Sequence, residues 1–303
     1  MPVQYRKISI ALVLSLAACV ASAGQAGRRG AGSRERTALL NVVVAREDGS
    51  HAPVTSKDIA MYDDGLEQTI LNLSLDTNPA RIVLLFDNSL SLRTDVPKLA
   101  QVAREFAYEI YEGDQLLIAG FDEHAEQLSA DWTDKTKDVE EAVGLLRKKG
   151  EPHLFDAVSD IIEVALRPLS GGNRKRVIVL VGDGLDRGSQ TKFKDVLAEL
   201  QKSDITIYAL QIPDRTGGAH RRDQPKPDQV VHQLVEGTGG RILPLDKPAE
   251  SAKAICDELR KNRYLLSYVP SAVSYFDTRR LLVVGNPGIS VRYKTAQPPE
   301  QKQ

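Results

Sequence analysis

Between residues 80 and 261, short apolar runs alternate with stretches in which apolar side chains recur every three or four positions. The runs at 81–86, 115–121, 177–181, 205–210 and 241–245 are nearly continuous. Strands buried on both faces of a parallel sheet have that pattern. Between the runs, Leu99, Val102, Ala103, Phe106 and Ile110 fall on one helical face, with Pro97 in the first turn. Val139, Ala142, Val143 and Leu146 do the same, as do Ala157, Val158, Ile161, Ile162 and Ala165, and then Phe193, Val196, Leu197 and Leu200. Such a βαβ series predicts an α/β fold, an open doubly wound sheet that is mostly parallel. Residues 125–132 follow a strand with no helix between, so an antiparallel edge strand is expected there.

The flanks carry a different pattern. Residues 39–45 and 59–62 read as strands, with turns marked by Asp48-Gly49 and Asp64-Gly65. Residues 264–269, 279–284 and 289–293 read likewise, the last two joined through Asn286-Pro287-Gly288. Neither flank has enough strands to be stable alone. They are expected to pair into one small β-domain built from both chain ends, with segments at 38–78 and 263–295 around an α/β domain at 79–262. Residues 296–303 read as a disordered polar tail.

Residues 1–23 read as an export signal, with Arg6 and Lys7 ahead of a short apolar run at 8–18. That run falls short of the about 20 residues a transmembrane helix requires. Two cleavage readings stand. Leu16-Ala17-Ala18-Cys19 has the form of a lipoprotein box, which would make Cys19 the lipidated mature N-terminus. Ala21-Ser22-Ala23 has the form of an ordinary signal peptidase site. Either reading places the protein outside the cytoplasm, lipid-anchored in the cell envelope or free in the periplasm or medium. Residues 24–37, rich in Gly, Ala, Ser and Arg, read as a flexible tether.

Composition narrows the function classes. Forty Lys and Arg against 41 Asp and Glu leave a net charge of −1, which argues against nucleic acid as a partner. Two cysteines, Cys19 and Cys256, make no disulfide framework. Cys256 lies in a helical stripe with Ala252, Ile255 and Leu259 and reads as an inert buried thiol. The histidines, His51, His124, His153, His220 and His232, accompany no GxSxG elbow and show no HxxH or CxxC zinc spacing. The stretch from Gly182 to Gly188 is one residue too long for GxGxxG and lies late in the series.

In open α/β sheets, ligands bind at the carboxyl ends of strands, where the winding reverses. After the run at 81–86 comes Asp87-Asn88-Ser89-Leu90-Ser91, and after the run at 177–181 comes Gly182-Asp183-Gly184. Asp87, Ser89, Ser91 and Asp183 thus offer two carboxylates and two hydroxyls to one crevice, the hard oxygens that Mg²⁺ prefers. The segment at 87–91 is similar to the DxSxS motif of von Willebrand factor type A domains, and Gly182-Asp183-Gly184 resembles the other acidic loop of that family. Asp114-Gln115 and Leu154-Phe155-Asp156-Ala157 also resemble family positions, so the resemblance covers residues 81–261. The flanks are similar to those of an exported bacterial group within the family. The resemblance implies a metal-ion-dependent adhesion site with Ser89 and Ser91 as direct ligands. Asp87 and Asp183 would act directly or through water, and Mg²⁺ or Mn²⁺ would leave one position open to a partner's acidic side chain.

One departure stands out: the family's threonine ligand, four residues before the aspartate matched by Asp156, is here Pro152. Weak metal binding, or none, is therefore expected. The function expected is a protein-binding or adhesion module, exported or surface-tethered, and not an enzyme; a metal-independent scaffold is the alternative. A haloacid-dehalogenase-like phosphatase would use Asp87 as nucleophile with Asp183 and Asp186 on Mg²⁺, but Ser89 stands where its general acid belongs. The Pro- and Gly-rich loop at 213–228 carries Arg215, Arg221 and Arg222. It reads either as a solvated insertion or as a basic lip that selects an acidic partner.

Overall fold

Four strands open the described part of the chain: β1 (Ala38–Arg46), β2 (Ile59–Asp63), β3 (Leu66–Gln68) and β4 (Ile70–Leu75). In β2 the burial alternates, with Ile59, Met61 and Asp63 inward and Ala60 and Tyr62 turned outward. The computed structural model describes residues 37–50, 52–170, 175–213, 224–271 and 273–299. Cys19 and the export signal, together with Arg215, Arg221 and Arg222, lie outside these residues.

The βαβ series follows as β5 (Ala80–Asp87), α1 (Val96–Glu109), β6 (Gln115–Phe121), β7 (Ala125–Gln127), α2 (Thr136–Val143), α3 (Leu154–Ile161) and β8 (Lys175–Gly182). It continues with α4 (Phe193–Lys202), β9 (Thr206–Gln211), α5 (Pro227–Thr238), β10 (Ile242–Pro244) and α6 (Pro248–Lys261). The six strands form one sheet in the order β10-β9-β8-β5-β6-β7. All neighbours pair in parallel except β6 and β7, so the expected antiparallel edge strand is present. Every residue of β5 is buried because both faces are covered. Ile82, Leu84 and Phe86 pack with Leu99, Val102, Val139 and Ile255 from α1, α2 and α6. Val83 and Leu85 pack with Val158, Val196, Val230 and Leu234 from α3, α4 and α5. Cys256 is buried in the first of these cores, as expected, and burial pushes its thiol well above the usual range.

The chain then returns to β11 (Arg263–Tyr268), β12 (Arg279–Gly285), β13 (Ile289–Tyr293) and β14 (Ala296–Gln297). Strands from both ends of the chain pair as two four-stranded sheets, β13-β1-β11-β4 and β14-β12-β2-β3. One core joins them, with Leu40, Val42 and Leu266 from the first sheet against Met61, Leu281 and Val283 from the second. A polar lock crosses that core: Tyr268 Oη donates to Asp63 Oδ2 at 2.8 Å, and Arg279 pairs with the same oxygen. The tail expected from residue 296 onward begins instead as a strand. Ala296 and Gln297 pair with β12, and Gln297 Oε1 accepts from the buried Lys294 ammonium at 2.6 Å. A buried cation needs oxygen partners, which gives these polar residues a fixed place.

Charged side chains fill the space below the amino ends of the parallel strands. Glu258, near the end of α6, accepts from Tyr208 Oη at 2.5 Å, pairs with Arg292 and lies 3.3 Å from Arg241 Nε. Arg263, only 1% exposed, donates to Thr206 Oγ1 at 3.0 Å. Asp114 Oδ1 accepts the Ala80 N–H at 2.6 Å, tying the start of β5 to the turn before β6.

Candidate metal centre

Adjacent strands with opposite onward routes create the crevice. From β5 the chain passes to β6 on one side, whereas β8, β9 and β10 lie on the other. The winding therefore reverses between β5 and β8, where open α/β sheets take their ligands. β5 ends on Asp87 and β8 ends on Gly182, with Phe86 paired to Val181. The two strand ends bring Asp87 and Asp183 to the same rim. Glycines flank Asp183, and the second of them is required. A Cβ at residue 182 would stand 3.1 Å from Asp87 Cβ. At Gly184 the φ is +81°, and a Cβ would meet the Pro227 carbonyl oxygen at 2.3 Å, because the start of α5 lies over the loop.

The DxSxS segment folds back on its own aspartate. Asp87 Oδ1 accepts the Ser89 N–H at 2.9 Å, and the Ser89 and Ser91 hydroxyl oxygens lie 3.0 Å apart. Asp183 Oδ1 accepts the Leu185 N–H at 2.9 Å. Asp87, Ser89 and Asp183 are buried, while Leu90 between the two serines is 69% exposed. Burial pushes the Asp87 carboxyl up to about 7. Asp183 adds to that shift, and the Ser89 bonds and Lys148 oppose it.

Around these four residues the other acids are already engaged. Asp186 Oδ1 accepts the Phe155 N–H at 3.2 Å and the Ser189 hydroxyl, and Ser189 Oγ accepts the Phe155 and Asp156 N–H groups at 3.1 Å. Asp156 in turn accepts the Gln190 and Thr191 N–H groups at 2.9 Å. These bonds cap α3 and clamp it to the loop after β8, so the second carboxylate that a phosphatase reading assigned to Mg²⁺ serves the scaffold. Pro152 is buried and offers only its carbonyl, which accepts the Arg187 N–H at 2.8 Å. Neither neighbour replaces the missing hydroxyl. Glu151 pairs on the surface with Arg187 at 3.2 Å, and His153 packs its ring against Gly188.

The residues present fit a hard divalent cation. Two buried carboxylates, with Asp183 raising the proton affinity of Asp87, beside two adjoining hydroxyls, make an all-oxygen donor set of four. Among the described residues no cluster of three or more His, Cys, Asp or Glu is placed to hold a metal, so a softer nitrogen or sulfur site is not assembled. Lys148 was not singled out by its sequence. It lies in the run Arg147-Lys148-Lys149, and its ammonium donates to the Leu92 carbonyl, just after the DxSxS segment.

A family model described as von Willebrand factor type A domain matches residues 82–242. Among solved structures, the chain is similar to a von Willebrand factor type A protein from Catenulispora acidiphila (11% identity, TM-score 0.48, covering 86% of this chain and 73% of that one). It is similar to an aerotolerance-related membrane protein from Bacteroides fragilis (16% identity, TM-score 0.46, covering 60% and 99%). It is also similar to proximal thread matrix protein 1 of the mussel byssus, solved with zinc in its metal-ion-dependent adhesion site (15% identity, TM-score 0.45). That match covers 64% of this chain and 48% of the mussel protein, about half its length. No curated protein sequence matches the chain.

Proposed function

The chain belongs to the von Willebrand factor type A domain family, a family of protein-interaction modules, and from that premise we propose that it is an exported binding module whose metal-dependent rim takes an acidic group of a partner. Asp87, Ser89, Ser91 and Asp183 would hold Mg²⁺ or Mn²⁺. When bound, the cation would supply an open position for a carboxylate oxygen. The observation that carries this reading is the convergence of Asp87 and Asp183 at the winding reversal, with the paired Ser89 and Ser91 hydroxyls beside them. Leu90 stands exposed on the same loop and would give the partner an apolar contact. Arg215, Arg221 and Arg222, outside the described residues, would favour an acidic partner by their charge.

Binding rather than catalysis is the reading the side chains support. Asp186, which a phosphatase would need at the metal, is committed to α3 and Ser189. A metal-independent mode of binding has one observation in its favour: Pro152 supplies no oxygen where the family supplies one. Calorimetry of the purified chain with Mg²⁺ and Mn²⁺ distinguishes the modes. Native protein should titrate, and Asp87→Ala should give no binding heat while keeping its far-UV circular dichroism. Identical titrations of the two proteins would remove the metal from the reading.

Export and anchoring belong to the same proposal. Among the described residues no helix is long and apolar enough to cross a membrane. Cys19 would carry the lipid, so cells fed labelled fatty acid should yield a labelled protein, and Cys19→Ala should abolish the label. A soluble mature form beginning at Gly24 would replace the anchored form with a secreted or periplasmic one.

A further inference from the structure

The sheet β13-β1-β11-β4 has a second face, turned away from the core it shares with the other β-sheet. On β1, Leu40, Val42 and Val44 enter that core, so Val43 points the other way. Val43 is paired with Arg292 of β13 on one side and with Arg263 of β11 on the other. The two arginines therefore stand in one row on the second face, their Cα atoms about 9.6 Å apart. Both reach toward β9 of the α/β layer. Arg263 Nη1 donates to Thr206 Oγ1 at 3.0 Å, and Arg292 pairs with Glu258, which accepts from Tyr208 Oη at 2.5 Å. The rest of the Arg263 guanidinium is unused. Its Nε and Nη2 are buried without a hydrogen-bond partner, as is Nη1 of Arg292. Nε and Nη2 form one edge of the planar group, where two parallel N–H bonds can grip an anion side-on.

We propose that this free edge of Arg263 is a binding site for a small, singly charged inorganic anion of the chloride class, held where the β-sheets meet the α/β layer. A guanidinium keeps its charge at every physiological pH, so Arg263 cannot escape burial by losing a proton. Its charge must be met by a negative one, and the chain supplies none at hydrogen-bonding distance. Among the described residues no carboxylate forms an ion pair with Arg263. Glu258 is taken, with Oε1 accepting from Tyr208 and Oε2 shared by Arg292 and Arg241. Asp76 lies beside Arg263, whose carbonyl accepts the Asp76 N–H at 2.8 Å, but its Oδ1 accepts the Asn78 N–H and Nδ2 at 3.0 and 2.8 Å. A further buried cation adds to the excess: burial lowers the Lys175 ammonium to about 8, and Arg263 adds to that shift while Asp76 opposes it. Water would satisfy the orphaned N–H groups and leave the charge unmet. A singly charged ion gives up its hydration at less cost than phosphate or sulfate, which favours chloride for so enclosed a position.

The test uses the full chain, with chloride and bromide as probes. Unfolding of native protein is followed at constant ionic strength as chloride replaces gluconate, an anion too bulky for an enclosed site. The unfolding midpoint should rise with chloride, and at ten times the dissociation constant the folding equilibrium should be favoured about 11-fold. Arg263→Lys keeps a charge without the fork and Arg263→Met removes both, so each should abolish the rise. In crystals of native protein soaked in bromide, an anomalous peak should touch Nε and Nη2 of Arg263. Equal midpoints in chloride and gluconate overturn the proposal, as does an undiminished chloride effect in Arg263→Met. A water at the fork with no anomalous signal overturns it too. A bromide peak without a chloride-dependent midpoint means binding at crystal concentration only and equally defeats it. Should both variants fail to fold, the chloride series and the bromide map of native protein decide.

Discussion

At the amino end of the parallel sheet the Asp257 carboxyl is held at about 2, and at the carboxyl end Asp87 stands at about 7. Burial raises both. For Asp257 that effect is outweighed by hydrogen bonds from Tyr111 Oη at 2.5 Å, Lys261 at 2.9 Å and Lys253 at 3.1 Å. For Asp87 a second acid, Asp183, reinforces the burial, and Ser89 and Lys148 offset it only in part. The same contrast extends to their neighbours. Glu258 gathers Tyr208, Arg292 and Arg241, whereas Asp87 collects one backbone N–H and faces another carboxylate. Below the sheet the carboxylates are met by cations of the chain itself, and Glu258 joins the β-sheets to the α/β layer through Arg292, although the buried Arg263 guanidinium keeps two nitrogens without a hydrogen-bond partner. Above it, the Asp87 carboxyl is compensated only in part.

Four measurements would break or sharpen that contrast. The largest effect belongs to the neutralised end. Glu258→Ala strands Arg292 and Arg241 around a lost carboxylate, and urea unfolding should show a loss of about 5 kcal/mol, as for a buried ion pair stripped of one member. A loss below about 1 kcal/mol would mean that the lower network is surface-like.

Next comes the pH dependence of the carboxyl end. Asp87 ionises near pH 3.8 in the unfolded chain and at about 7 in the folded one. Below 3.8 it is protonated in both states and costs nothing. Between the two values the unfolded chain releases its proton first, so stability falls as pH rises, and above 7 the cost is constant. The full cost is about 4 kcal/mol, from 1.36 kcal/mol per pKa unit. Metal-free native protein should lose that much relative to Asp87→Asn between pH 4 and 7.5, measured as the difference in unfolding free energy. Parallel pH curves for the two proteins would place Asp87 in an ordinary solvated setting.

A smaller effect concerns the loop that carries Asp183. Gly184→Ala forces a side chain into a left-handed backbone position against the Pro227 carbonyl. A cost of about 2 kcal/mol is expected. It should appear in thermal unfolding, together with weakened metal binding because α5 and Asp183 are displaced together. The smallest effect is Pro152→Thr. Restoring the hydroxyl should tighten Mg²⁺ binding about 10-fold by calorimetry, equivalent to about 1.4 kcal/mol, with part of the gain lost because proline no longer fixes φ.

Much of the architecture was legible because buried parallel strands leave continuous apolar runs, and all five such runs are strands of the sheet. The β flanks were legible as strands, and their pairing followed from the shortage of partners within each flank. α5 was not read as a helix. Its start, Pro227 at the first helical position, continues the proline-rich loop before it, although Val230, Val231, Leu234 and Val235 carry helical spacing. β3 and β4 are short and lie close together, with little periodicity to separate them. At the site, Asp87, Ser89, Ser91 and Asp183 were legible because each follows a strand end. Lys148 was not, since the bond of its ammonium to the Leu92 carbonyl leaves no mark in the run Arg147-Lys148-Lys149.

The division of the β-sheets between the two chain ends makes their closure long-range. In β1, Leu40 pairs with Leu266 and Val42 with Tyr293, contacts that close only when more than 200 residues have been made between them. The α/β layer is contiguous from Ala80 to Lys261 and can complete its own cores first. During synthesis, β1 to β4 therefore emerge before their partner strands β11 to β14, with Leu39, Leu71 and Leu75 on their exposed faces. The pairing of β1 and β4 with β11 is a long-range closure, and such closures are intrinsically slow.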